Sequence, residues 1–120
     1  MNERTIVAIA LIVAGRLEVT QNEDSVQIIK DGRQLSQYER KRKRCTVGDQ
    51  CVKICHEGSK YTWAVSHLCW MFFTRSPIPD GFQIHHVDED CTNNLFDNLI
   101  CIHERDHDKL HHTITTDTPF

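Results

Sequence analysis

Six of the eight histidines fall between His85 and His112, in company with asparagines and carboxylates and away from any apolar stripe. Gln83-Ile84-His85-His86-Val87-Asp88 is followed by Asn93-Asn94, by Asn98-Leu99 and by His107-Asp108-Lys109-Leu110-His111. Imidazoles ligate divalent metals and also accept protons near neutral pH. A histidine pair followed by a second pair at i, i+4 can therefore hold a cation and supply a general base. That combination suits cleavage of a phosphodiester bond by a metal-activated water.

Such side chains need elements to carry them. Phe82–His86 reads as a strand and Asn98–Ile102 as a second. The Asp- and Asn-rich stretch between them, 87–97, suits a tight loop bonded to its own backbone. A helix is expected from about Glu104 to Thr113, where His107 and His111 share one face because i and i+4 are neighbours. Upstream, Leu17–Thr20 and Ser25–Lys30 read as strands, and Asp31-Gly32 as a hairpin turn into Arg33-Gln34-Leu35. Cys51–Cys55 and Tyr61–Val65 flank a second turn at Glu57-Gly58-Ser59. Ser66 is expected to cap a helix to about Phe73, with Leu68, Cys69, Phe72 and Phe73 inward, before Pro77 and Pro79. The apolar run Thr5–Ala14 is about half a membrane span. Arg4 and small residues give it a faint signal-peptide look, but Arg16 and Glu18 follow at once. It is read as a buried strand in preference to a helix, although periodicity alone does not separate the two. The fold class is α+β: antiparallel strands and one helix lead into a C-terminal strand–strand–helix unit.

With 120 residues, 39% of them hydrophobic and 26% charged, the chain is expected to fold as one small domain or module. Its net charge of −3 argues against a protein that merely coats nucleic acid. The distribution says more. Residues 30–44 carry Lys30, Arg33, Arg40, Lys41, Arg42, Lys43 and Arg44 against only Asp31 and Glu39. Residues 88–109 carry seven acidic residues against Arg105 and Lys109. A basic arm can grip phosphates, and an acidic, His-rich pocket attracts a cation. The six cysteines form no CxxC pair, so they read as small buried thiols of a reducing cytosol. Cys45, Cys51, Cys55 and His56 could close only an irregular zinc site.

Taken together, Ile84-His85-His86-Val87-Asp88, Asn93-Asn94, Asn98-Leu99 and the helix bearing His107 and His111 resemble the HNH, or His-Me finger, nucleases of phage and homing type. The stretch Ala64–Phe73 with its Pro-containing turn resembles them more loosely. The resemblance implies a ββα-metal core over 82–113 within a nuclease unit of 49–113. Residues 1–48 would be a strand-rich extension whose basic arm is 30–44, and 114–120 a tail. It implies His86 as general base and Asn98 as the residue whose amide ties down the loop. His85, His107 and His111 would be metal ligands, and Lys30, Arg33, Arg40, Lys41, Arg42, Lys43 and Arg44 would contact DNA. One divalent ion is implied, Mg2+ or Mn2+. Many homing-type members carry a carboxylate or asparagine where this chain has His85 and His107, so its softer imidazole set also suits Zn2+ or Ni2+.

The function expected is metal-dependent DNA hydrolysis in the cytoplasm of a bacterial host. DNA is the expected partner, a homodimer is compatible, and no organic cofactor or membrane is called for. Two rivals share the motif: a non-catalytic, metal-stabilised DNA-binding domain, and a toxin-like defence nuclease. A third, weaker rival is a zinc-built interaction module that uses the cysteines.

Overall fold

The computed structural model describes residues 3–23, 25–40, 49–90, 92–103 and 105. Helix α1 spans Glu3–Val13 and is followed by strands β1 (Leu17–Gln21), β2 (Val26–Lys30), β3 (Arg33–Gln34), β4 (Tyr38–Arg40), β5 (Asp49–His56) and β6 (Ser59–Ala64). Helix α2 (Val65–Thr74) then leads to β7 (Phe82–His86), a 3-10 turn at Phe96–Asn98, and β8 (Leu99–His103). The strands form three antiparallel sheets, β1-β2-β3, β4-β5-β6 and β7-β8.

The apolar N-terminal run is a helix, which overturns the strand expected for it. Its buried positions are Thr5, Ala8, Leu11 and Ile12, one stripe at helical spacing, while Ile6 and Val13 face solvent. The run is apolar at nearly every position, so the stripe is invisible until the core selects it. Gly15 ends the helix. Gly15 takes φ +75°, its amide donates to the Ile12 carbonyl, and the Arg16 amide donates to Leu11 at 2.9 Å. This is a Schellman stop, in which glycine accepts the left-handed conformation and satisfies carbonyls left over at the helix end.

Both hairpins sit where the sequence places them. Lys30 pairs with Arg33 across Asp31-Gly32, and His56 pairs with Ser59 across Glu57-Gly58. All four turn residues have positive φ, the two-residue turn that matches strand twist. A methyl group on Gly58 (φ +80°) would meet nothing within 4 Å, so the cost of replacing it is purely conformational. Gly58→Ala is expected to cost about 1 kcal/mol and to lower Tm by roughly 4 °C in a thermal melt.

Helix α2 organises the interior. It touches β1, β2, β5, β6, β7 and β8, and it buries Val65, Leu68, Cys69 and Met71. Leu17, Val19, Val26, Ile28, Val52, Ile54, Trp63 and Leu99 close around it, with Ala8, Leu11 and Ile12 of α1. Burial raises the Cys69 thiol to about 12, so it behaves as a small apolar group. Two details differ from expectation. The N-cap is Ala64, with no side-chain cap, and Ser66 lies buried in the first turn. Helix α2 follows β6 directly, so packing fixes its start and no cap is needed. Phe73 is 38% exposed, and Met71 takes the inward position instead. The helix ends at Arg75, which adopts the left-handed conformation two residues before Pro77. No helix among the described residues is long and apolar enough to cross a membrane.

Candidate active site

Strands β7 and β8 pair in register, His86 with Leu99 and His85 with Ile100. Residues opposite one another in an antiparallel pair share a face. His86 therefore lies on the face of buried Leu99, and His85 on the opposite face. His85 is nonetheless only 6% exposed. The strand stops at His86. Val87 N–H donates to the Asn98 carbonyl at 2.8 Å, and Glu89 turns back with φ 62° and donates to the His86 carbonyl.

The loop beyond is held by short polar side chains. Asp88 is its hub: its carboxylate accepts from Asn98 Nδ2 at 2.9 Å, from Asn93 Nδ2 at 2.9 Å and from the Asp90 amide at 2.9 Å. Asn98 closes the ring, since its Oδ1 accepts the Asp88 amide at 3.1 Å and its Nδ2 also reaches the Asn93 carbonyl. These bonds tie the Asn98 side chain to the loop. Donors to the charged form, Asn93 first, hold the Asp88 carboxyl below the ordinary carboxylate range. Thr92 does the same for Asp90. Because the folded-state pKa of Asp88 is lowered, its contribution is complete above the ordinary value of 3.8 and is lost only as pH falls through the lower folded value. The backbone amide NMR shifts of Asp90 and Asn93 are expected to stay unchanged from pH 7 to pH 4 and to move only below that.

The Asn98 side chain makes its hydrogen bonds to Asp88 and Asn93, not to the His86 ring. The partner of that ring is Asn94, whose Oδ1 lies 2.8 Å from His86 Nε2. Asn94 is buried, at 7% exposed. With the amide oxygen accepting, Nε2 carries the proton and Nδ1 presents its lone pair. The sequence placed Asn94 among residues that shape the loop and missed this direct role. Nothing in the motif separates it from Asn93, whose amide turns to Asp88 instead. The first sheet braces the same loop, since Gln21 Oε1 accepts the Phe96 amide at 3.1 Å.

Of the three expected metal ligands, only His85 is described; His107 and His111 lie outside the described residues, as does nearly all of the helix expected over 104–113. Among the described residues, no three His, Cys, Asp or Glu side chains are grouped closely enough to hold a metal ion. Cys51 and Cys69 are buried and in no disulfide, Cys55 is exposed, and Cys45 lies outside the described residues. His103 packs edge-on against Phe82 with ring centres 5.2 Å apart.

The basic residues are distributed over two sheets. Lys30 closes on Asp31 at 2.9 Å beside the Arg16–Asp31 pair, also 2.9 Å. Arg16 and then Lys30 hold the Asp31 carboxyl well below the ordinary carboxylate range. Arg33 projects from the exposed hairpin end, and Lys41, Arg42, Lys43 and Arg44 lie outside the described residues. Arg40 lines a cleft of about 270 Å3 with Arg4, Trp63 and His67. There the Arg4 guanidinium sits 5.8 Å from the Trp63 ring centre and donates to the Thr62 carbonyl.

Comparison with known proteins bears on this site. Residues 64–109 match the family model described as HNH endonuclease. No curated protein matches the chain. Among solved structures, the fold is similar to that of the HNH homing endonuclease I-HmuI, in a structure concerned with DNA binding and cleavage by that enzyme. The TM-score is 0.56 at 20% identity, over 88% of this chain. This chain spans only 56% of the other's length. The segment that bears β7, β8 and the Asp88-centred loop, residues 64–109, is therefore the part of the chain that is similar to the HNH endonuclease family.

Proposed function

We propose that this chain is a metal-dependent endonuclease that hydrolyses DNA phosphodiester bonds, with His86 as general base. The observation that carries this reading is the His86–Asn94 bond, 2.8 Å long, at the head of a loop cross-tied by Asn98 and Asp88. It fixes the ring and its tautomer, so Nδ1 is the atom that takes a proton from the attacking water. The water oxygen then bonds to phosphorus and the bond to the 3′-oxygen breaks, giving a 5′-phosphate and a 3′-hydroxyl. Asn98 is a positioning residue and acts through the loop.

His85, with His107 and His111, would hold the divalent ion. When bound, that ion supplies Lewis-acid stabilisation of charge on the scissile phosphate and the leaving oxygen. Lys30, Arg33, Arg40 and Lys41 to Arg44 would grip the DNA backbone and fix position more than sequence. In this reading 49–113 is the nuclease unit and 82–113 its ββα core. One chain carries one such site, so a monomer would nick one strand. A break in both would need a dimer or two successive nicks. The expected setting is the cytoplasm of a bacterial host.

The test is cleavage of supercoiled plasmid in EDTA and in Mg2+, Mn2+, Ni2+ or Zn2+. Nicked circles are expected with metal and none in EDTA. Folded protein that binds DNA but nicks it with no metal would sink the proposal in favour of a non-catalytic binding domain.

A further inference from the structure

A cleft of about 380 Å3 opens beside the His86 loop, lined by Gln27, Gln34, Gln37 and Gln50 and by Thr92 and Asn94 of the loop. Among the described residues, no charged side chain lines it. A phosphate would find no cation among them, whereas a neutral group carrying both donors and acceptors would find several amides.

The amides are arranged by the sheets. On β2, Val26 and Ile28 face the core, so Gln27 stands on the outer face. Gln34, opposite Ile29, shares that face and donates from Nε2 to Gln27 Oε1 at 2.8 Å. This bond stiffens both side chains yet leaves the Gln34 oxygen and the Gln27 NH2 group available. Gln37 is spent on the Val26 carbonyl and acts as wall. Gln50 precedes buried Cys51 on β5, is half-buried, and makes no side-chain hydrogen bond among the described residues. Asn94 lines the cleft and at the same time holds His86. The Gln21 bond to the Phe96 amide fixes the first sheet against the loop.

We infer that this amide-lined cleft is a base-reading subsite, in which Gln27, Gln34 and Gln50 recognise the edge of an adenine close to the phosphate held at His86. A carboxamide matches adenine's adjacent N7 acceptor and N6 donor with two bonds, and a good pair of this kind discriminates against other bases. The inference rests on the nuclease reading for its substrate. It adds sequence preference on the neutral wall of the site, while the basic residues supply position.

The experiment is selection of bound sequences from a random duplex library with the full chain in EDTA, run beside the plasmid nicking assay. Wild type, Gln50→Leu and Gln34→Leu are compared, with Gln50→Glu as a variant that keeps shape and acceptors but loses donors. Circular dichroism checks that each variant is folded. Wild type is expected to enrich adenine at one fixed position, and each variant to reduce that enrichment about tenfold. DNA binding with no positional preference, or a preference that survives all three variants, would overturn the subsite and leave the nuclease reading standing. An adenine preference that is lost in the variants, without any metal-dependent nicking, would uphold the subsite and overturn the nuclease reading. Absence of DNA binding would overturn both.

Discussion

His86→Ala is expected to reduce metal-dependent plasmid nicking by about 10^2- to 10^4-fold, the range that a positioned general base contributes. The loss should fall on kcat, with KM for DNA changed little, because the proton is taken only in the transition state. The ring is well placed for this. It ends β7 opposite Leu99, and its Nε2 is committed to Asn94 at 2.8 Å. His86 is not among the expected metal ligands, so metal affinity by isothermal titration should be unchanged, and so should DNA affinity in EDTA. A variant that nicks at the wild-type rate would show that the base is elsewhere. A variant that loses metal binding would instead place His86 among the ligands and move the base assignment to another group.

Asn94→Ala is expected to cost about 10- to 100-fold in nicking rate, the usual effect of removing a partner that orients a functional histidine. The side chain is 7% exposed and its oxygen fixes which ring nitrogen carries the proton. Without it, Nε2–H is unpaired in a half-buried site, the ring can turn, and both tautomers compete. Asn94→Asp separates this role from mere packing. A carboxylate keeps the acceptor, so most of the rate should return. It also favours the imidazolium, so the acid limb of the pH–rate profile should move to higher pH. A purely structural Asn94 would lower the rate in both variants and leave the profile where it was.

The sequence by itself determined the elements whose chemistry is local. Asp31-Gly32 and Glu57-Gly58 fixed two hairpins, because positive φ at consecutive positions is tolerated by few residues. The strand ending at His86 and the Asp/Asn-rich loop after it were legible for the same reason, since short polar side chains bond the nearby backbone. So was the likeness to the HNH endonucleases, because His86, Asn98 and His107 form a set whose spacing is unusual as a whole. The tertiary structure decided the rest. It made the N-terminal apolar run a helix, because only packing against the core picks Ala8, Leu11 and Ile12 from a run with no polar face. It gave the bond to the His86 ring to Asn94 and the loop-tying bonds to Asn98, a division of labour that depends on side-chain direction. It also brought Gln27, Gln34 and Gln50, from separate strands, into one cleft with Asn94. No local signal carries such a juxtaposition, because it arises from how the sheets and the loop pack around α2.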